Sequence, residues 1–223
     1  MSRRDANSKI SPELMLRAYA AGIFPMAKSK SAETVFWVDP RERGILPLDK
    51  FHISKSLRKT VRQNRFDIRR DHAFSKTLEE CARPTLGRRH TWINADIERC
   101  VNELHAMGFA HSVECWQADC LVGGLYGVTL GAAFFGESMF SRERDASKVA
   151  LVHLVGQLRN GGFRLLDAQF TTSHLSQFGA QEIPRKDYRI KLAEALNLDA
   201  HFDATETSGD AMTLLDQLRK PDI

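Results

Sequence analysis

No stretch of the sequence reaches about 18 uninterrupted apolar residues, so a bilayer-spanning helix is excluded by length alone. The opening, Met1-Ser-Arg-Arg-Asp-Ala-Asn-Ser-Lys9, lacks the apolar segment of a secretory signal, and the expected location is the cytoplasm. Cysteine is scarce and unpatterned. Cys81, Cys100, Cys115 and Cys120 form no CxxC pair, which argues against structural zinc and a disulfide framework and leaves reduced, mostly buried thiols. Histidines show neither HExxH nor paired helical spacing, so no metal is expected, and a P-loop is absent as well. One local absence is more telling: residues 50–66 contain no Asp or Glu.

What is present fits a soluble globular chain, 43% hydrophobic and 27% charged, and its 223 residues suffice for one large domain or a small one joined to a medium one. The net charge of +4 is modest but unevenly spread. Lys55, Arg58, Lys59 and Arg62 recur at helical spacing on a predicted helix over 54–64, with Arg65, Arg69, Arg70, Arg83, Arg88 and Arg89 beyond it. Such a stripe is ordinarily a solvated face. Without carboxylates to pair with, it suits nucleic-acid phosphates, read by backbone and shape rather than by base sequence. Residues 199–210, by contrast, are acidic and poor in large apolar side chains.

Along the chain, residues 1–10 are polar and expected to be mobile. Ser11-Pro12-Glu13 opens a helix that runs through Tyr19 and stops at Gly22. A strand over 34–38 ends at Asp39-Pro40, and Arg41 to Gly44 reads as a turn. Helices over 54–64 and 74–82 flank a short strand at 66–69. After the loop Pro84 to Arg89, a helix capped by Asn94 ends near Gly108. Residues 110–117 and 121–128 then form a hairpin, 131–139 a further strand, and 147–159 a helix with Ser147 as N-cap. A strand over 163–170, a helix over 171–178, an edge strand near 179–185, a helix over 186–196 and a short helix around 211–219 complete the chain.

Polar residues inside apolar strands mark the candidate site. Strand alternation puts Leu165, Asp167 and Gln169 on one face, and Glu137 stands near the end of another apolar strand. A buried carboxylate costs several kcal/mol, of the order of the buried-charge penalty, unless it is paired or faces a cleft. The alternatives at this point are that Asp167 caps the following helix and that Glu137 pairs with a nearby Arg or Lys. Phe36 and Trp37 are either core aromatics or a face on which a splayed base stacks.

The segments Ala18-Tyr-Ala-Ala-Gly-Ile-Phe-Pro-Met26, Phe36-Trp37 with Asp39-Pro-Arg41, Thr91-Trp-Ile93, Leu121-Val-Gly-Gly-Leu-Tyr-Gly127, Phe135-Gly-Glu-Ser-Met-Phe-Ser141, Asp167-Ala-Gln169, His174-Leu175 and Gly179-Ala-Gln-Glu-Ile-Pro-Arg185 occur in one order over about 12–188. In that order they resemble the bacterial leucyl/phenylalanyl-tRNA-protein transferase family. The resemblance implies an α+β protein, a small N-terminal α/β domain followed by a GNAT-type (acetyltransferase-like) mixed-sheet domain. The corresponding division is a mobile terminus at 1–10, an N-terminal domain at 11–92, a catalytic domain at 93–196 and an acidic, flexible tail at 197–223. It also implies transfer of Leu or Phe, and Met less, from aminoacyl-tRNA to proteins beginning with Arg or Lys, which creates a degradation signal. The partners are then Leu-tRNA, Phe-tRNA and those acceptor proteins, with the enzyme acting as a monomer.

Carried onto this sequence, the resemblance assigns Asp167, Gln169 and Glu137 to catalysis, with Gln169 against the attacking amine and Asp167 polarising it. Leu125, Phe134, Met139, Leu151, Leu154 and Leu166 become the walls of the aminoacyl side-chain pocket, and Trp37 and Trp92 lie near the terminal adenosine of the tRNA. Exchange of an activated ester for an amide is downhill, so no cofactor is expected. Three other readings compete. An acetyl-CoA-dependent N-acetyltransferase would need a glycine-rich pyrophosphate loop, which Arg142-Glu-Arg-Asp-Ala-Ser-Lys148 does not supply. A serine hydrolase would need the second glycine that Gly136-Glu-Ser138-Met-Phe140 lacks. A non-catalytic tRNA-binding module would have no transfer to lose.

Overall fold

The computed structural model describes residues 9–84, 90–203 and 211–218. Helix α1 (Pro12–Ala20) starts where the sequence places it, with the Ser11 hydroxyl accepting from the Leu14 amide at 3.2 Å and Pro12 in the first turn, where its missing N–H is no loss. Gly22, at φ +77°, turns the chain into β1 (Phe24–Ala27), which pairs with β2 (Val35–Val38) in a separate antiparallel ribbon.

The main sheet then begins earlier than expected. Arg41 to Gly44, read above as a turn, contributes to β3 (Glu42–Ile45). After α2 (Lys55–Arg62) come β4 (Asp67–Arg70), α3 (Phe74–Ala82) and α4 (Ala95–Ala106). The strands β5 (Ala110–Gln117), β6 (Cys120–Leu130) and β7 (Ala133–Ser141) follow as a meander. Helix α5 (Ala146–Asn160) crosses over to β8 (Leu165–Gln169), and α6 (Ser173–Ser176), β9 (Gln181–Pro184), α7 (Arg185–Leu196) and α8 (Ala211–Gln217) end the described chain. The result is an α+β fold on a seven-stranded mixed sheet of order β4-β5-β6-β7-β8-β3-β9, with β7 and β8 the parallel pair.

This order changes the expected division at residue 92. Strands β3 and β4 precede it, yet β4 borders β5 and β3 is hydrogen-bonded between β8 and β9. Glu-Arg-Gly-Ile is too short and polar to read as a strand by pattern. Its backbone groups become strand because neighbours on both sides satisfy them, and burial of unpaired backbone is what the chain must avoid.

Two cores lie on the two faces of the sheet. One gathers α1, α3, α4 and α7 through residues such as Met15, Leu78, Leu104 and Tyr188; the other gathers α2, α5 and α8 through Leu57, Val61, Leu154 and Leu214. Helix α5 begins at Ala146, not from a Ser147 cap. Asp145 holds the turn at φ +66°, and the Ser147 amide donates to the Ser141 hydroxyl at 3.1 Å. Gly123 is needed beneath this turn, since a Cβ there would overlap the Ala146 methyl.

The region expected to be a flexible tail also differs in its described part. Phe202, Leu214, Leu215 and Leu218 are buried in the second core, the Gln157 amide is bonded to the Phe202 carbonyl, and Leu214 seats over Gly156 of α5. Apolar residues spaced along 211–218 supply a helical face after all. Leu214→Ala should therefore lower unfolding free energy by about 2–5 kcal/mol, read from urea denaturation; an unchanged midpoint would mean that α8 adds nothing to the core.

Candidate active site

Parallel pairing between β7 and β8 is brief. It covers Ala133, Phe134 and Phe135 against Leu165, Leu166 and Asp167, and then the strands part. On β7 the register to β6 jumps from Gly136 opposite Gly127 to Ser138 opposite Tyr126, so Glu137 is the unpaired residue of a β-bulge. On β8 the pairing to β3 skips Ala168, and Gln169 adopts a left-handed backbone at φ +57°. A cavity of about 680 Å³ occupies the place where the strands separate, lined by Gly136 to Met139 on one side and Leu166 to Phe170 on the other.

Asp167 is fully buried, and both of its oxygens are engaged. Oδ1 accepts from Arg43 Nε at 2.9 Å and from the Gln169 amide at 2.8 Å; Oδ2 accepts from an Arg43 terminal nitrogen at 2.6 Å and from the Tyr188 hydroxyl at 2.7 Å. An ionised carboxylate offers about four lone-pair sites, and four donors fill them. Arg43 is equally committed. It is 1% exposed, its remaining terminal nitrogen donates to the Gly22 carbonyl at 2.9 Å, and its guanidinium lies 4.5 Å from the ring centroids of both Phe24 and Tyr188. Burial and then the Asp167 charge push the Tyr188 phenol up, so it remains a donor. The pair thus ties the turn after α1 and strands β3 and β8 to α7.

Glu137 differs in kind. Its surface is only partly covered and opens on the cavity, while protein surrounds it elsewhere. Its Oε1 accepts from the Tyr19 hydroxyl at 2.9 Å and from the Gln169 side-chain amide at 3.3 Å. Desolvation pushes its carboxyl up to about 8, with the Tyr19 bond and Arg43 acting against that rise and Asp167 adding to it. Glu137 can therefore exchange a proton near neutral pH. The expected polarisation of the Gln169 side chain by Asp167 takes another form here, because Asp167 holds the backbone amide of Gln169 and leaves its side chain to Glu137.

Among the expected pocket residues, Leu125, Met139, Leu151, Leu154 and Leu166 line the cavity together with Leu46 and Leu175. Phe134 does not share that wall. It lies deeper, fully buried beside the rings of Phe163 and Phe202. His174 also faces the cavity; burial, and then Lys148, hold its imidazole below the usual range, which keeps that wall uncharged.

The two tryptophans are separated. Trp92 lines the cavity beside Phe24 and Met26. Trp37 pairs with Pro25 on the ribbon, Phe36 with Met26, and directly paired residues share a face. The cavity side of the ribbon therefore carries Phe36, whereas Trp37 opens on a different concavity with Leu14, Lys30 and Arg99. On α2, Lys55, Lys59 and Arg62 are exposed while Leu57 and Val61 anchor the opposite side; Arg58 is partly covered, its Nε bonded to the Ile53 carbonyl at 3.0 Å. Arg88 and Arg89 lie outside the described residues.

Sequence reading missed Tyr19, Arg43 and Tyr188. Tyr19 and Tyr188 read as ordinary helical positions, and a buried arginine has no periodic signature. Three of the four cysteines are buried and all four are free; burial pushes Cys100 and Cys115 up to about 12. Among the described residues no cluster of metal-binding side chains occurs.

Comparison with known proteins places these features in a family context. The family profile "Leucyl/phenylalanyl-tRNA protein transferase" matches residues 45–193, and "Leucyl/phenylalanyl-tRNA protein transferase N-terminal domain" matches residues 8–41. Leucyl/phenylalanyl-tRNA–protein transferases are similar at 60% identity in Paramagnetospirillum magneticum (89% of this chain, 95% of the relative) and at 57% in Maricaulis maris (86% and 89%). The one from Rhodospirillum rubrum is 53% identical over 93% of this chain and 96% of the relative. A solved C-terminal domain of an Agrobacterium fabrum protein assigned as a lysylphosphatidylglycerol synthetase covers 89% of this chain and 73% of that one at 11% identity, with a TM-score of 0.47, a likeness too distant to bear on activity.

The Glu137 environment has a consequence for stability. Its carboxyl binds a proton more tightly in the fold, at about 8, than in an unfolded chain, at about 4.3. Between those values the folded state holds the extra proton, so the Glu137 contribution to stability falls as pH rises through this window and is level above it. Glu137→Gln, which removes the charge and keeps an acceptor for Tyr19, should match wild type near pH 4.5 and exceed it increasingly toward pH 8.5 in thermal or urea unfolding. A constant difference across that range would show that Glu137 does not titrate there.

Proposed function

The chain belongs to the leucyl/phenylalanyl-tRNA–protein transferase family, a family of aminoacyltransferases, and from that membership we propose that it moves Leu or Phe, and Met less well, from aminoacyl-tRNA to the α-amine of proteins beginning with Arg or Lys. The product carries a new N-terminal residue that marks it for degradation. The reaction belongs in the cytoplasm, where tRNA is charged. No described helix is long and apolar enough to cross a membrane. The observation that carries this reading is an apolar cavity of about 680 Å³ with the Gln169–Glu137 pair on its wall. Its size is within the range of small-molecule sites, and it suits an apolar side chain held beside a reacting ester.

In this account Leu125, Met139, Leu151, Leu154 and Leu166 receive the aminoacyl side chain, with Met139 adapting to Leu or Phe by its flexible thioether. Trp92, Met26 and Phe24 offer apolar surface for the terminal adenosine. Lys55, Lys59 and Arg62, with Arg58 in a lesser part, meet tRNA phosphates. The acceptor amine attacks the aminoacyl carbonyl, the carbon–oxygen bond to the ribose breaks, and an amide forms. With an α-amino pKa of about 7.7–8.0, roughly a tenth of acceptor termini are already free amines near pH 7. Positioning is the larger contribution, because holding both partners in a reactive geometry is worth about 7–11 kcal/mol at its upper range. Gln169 and Glu137 face the reacting groups, and Asp167 acts from behind by holding the Gln169 backbone. A GNAT-type (acetyltransferase-like) fold for the main sheet is part of the same proposal and rests on the family membership.

Incubating the protein with radiolabelled Leu-tRNA and a peptide that begins with Arg, without ATP, is expected to label the peptide. Acetylation of the peptide by acetyl-CoA, with no labelled leucine transferred, would replace this reading with that of an N-acetyltransferase. Within the same assay, Leu154→Phe narrows the cavity and should lower Phe transfer about tenfold more than Leu transfer, near the bottom of the range for one misfitted group in an apolar pocket. Equal losses for the two would remove Leu154 from the selecting wall.

A further inference from the structure

The group that accepts the proton in this reaction remains open once Asp167 is seen to have both oxygens filled. Tyr19 supplies the missing observation. It is the penultimate residue of α1 (Pro12–Ala20), fully buried, and its ring lies 4.7 Å from that of Phe135 on β7. It lines no part of the cavity, so it touches no substrate, yet its hydroxyl reaches the carboxylate of Glu137 on the cavity wall at 2.9 Å. Glu137 is the extra residue of the bulge in the β6–β7 pairing, so it stands outside the regular ladder there.

We infer that Glu137 is the proton shuttle of the transfer reaction and that Tyr19, delivered by the first helix, is a positioning residue that keeps Glu137 aimed and ready to accept. This rests on the aminoacyl-transfer reading given above. As the amine nitrogen bonds to the carbonyl carbon, its proton passes to the Glu137 oxygen that does not face Tyr19. As the carbon–oxygen bond to the ribose breaks, Glu137 returns that proton to the leaving oxygen. No proton is gained or lost overall, and no further reactant is required. Glu137 Oε1 is occupied by Tyr19 and Gln169, and no donor to its Oε2 occurs among the described residues.

The charged and titratable groups around Glu137 act in two directions. Tyr19 from α1 and Arg43 from β3 favour its carboxylate, and Asp167 from β8 disfavours it, together with burial. The Tyr19 phenol is itself pushed up by burial and then by Glu137, so it stays a donor throughout the working range. Removing its hydroxyl leaves the ring packing on Phe135 and takes away one bond to the charged form. The proton affinity of Glu137 must then rise, and a base that holds its proton too long is idle at neutral pH.

The test is the pH profile of transfer at saturating Leu-tRNA and Arg-peptide for wild type and Tyr19→Phe. The acceptor amine titrates identically in both, so the difference between the profiles isolates the enzyme. Loss of a hydrogen bond to a charged group should make Tyr19→Phe about tenfold slower at pH 7, with the gap closing to within about twofold by pH 9.5 and KM for Leu-tRNA unchanged. Overlapping profiles, or a uniform loss at every pH, would overturn the inference and leave the transferase reading intact. A wild-type protein that transfers nothing would instead end that reading. The titration of the Glu137 carboxyl by carbon-13 NMR, with Glu137→Gln identifying the resonance, decides the Tyr19 effect independently of turnover: an upward shift in Tyr19→Phe supports it, and no shift rejects it.

Discussion

The buried pair of Arg43 and Asp167 is the interaction on which the arrangement of the site depends. Two charges taken out of water cost several kcal/mol each unless their donors and acceptors are filled, and here both are filled. The Arg43 fork meets both Asp167 oxygens, its third branch meets the Gly22 carbonyl, and Tyr188 and the Gln169 amide complete the carboxylate. Breaking one partner of such a pair is a loss of about 3–5 kcal/mol, so the segments it joins are held together. Those segments are the turn behind α1, the short strand β3, the end of β8 and helix α7.

Chemistry follows from how the sheet fails to stay regular beside that pair. Gln169 stands in a left-handed conformation that a non-glycine residue adopts at a cost, and its amide is held there by Asp167. Gly44 permits the close approach, since a Cβ would collide with the backbone of Phe170 and Thr171. On the facing strand a single extra residue, Glu137, bends β7 away. Strain on one strand and a bulge on the other open a cavity with mostly apolar walls, with the Gln169 amide and the Glu137 carboxyl side by side. One carboxylate is consumed in structure, and the other is the one proposed to carry the proton during transfer.

Much of this was legible beforehand, and the pattern of what was not has a physical reason. Helix α1 with its Ser11 cap, the β5–β6 hairpin, the crossover helix and the three polar residues in apolar strands all come from local periodicity and composition. The pairing of β3 between β8 and β9 could not, because Glu-Arg-Gly-Ile has no strand pattern and becomes strand only through distant partners. Alternation put Asp167 and Gln169 on a common face as equals, whereas the skipped Ala168 and the turned Gln169 give them opposite duties. The family resemblance groups Trp37 with Trp92, and ribbon register separates them, leaving Phe36 and Met26 on the cavity side. Arg43 shows the limit most clearly: a basic residue following Asp-Pro-Arg-Glu reads as surface, and only the meeting of four remote segments makes it the least exposed arginine of the site.

The central claim is that the fork of Arg43 acts on the proposed reaction through the geometry of Gln169. A double-mutant cycle in single-turnover transfer tests it, using Arg43→Lys, which keeps the charge but loses the fork, and Gln169→Ala. The account predicts strong non-additivity: Arg43→Lys slows transfer by a factor of about ten or more in the wild-type background, as expected for residues in one hydrogen-bonded network, and by almost nothing once Gln169 is absent. Equal slowing in both backgrounds, in folded proteins, would contradict it.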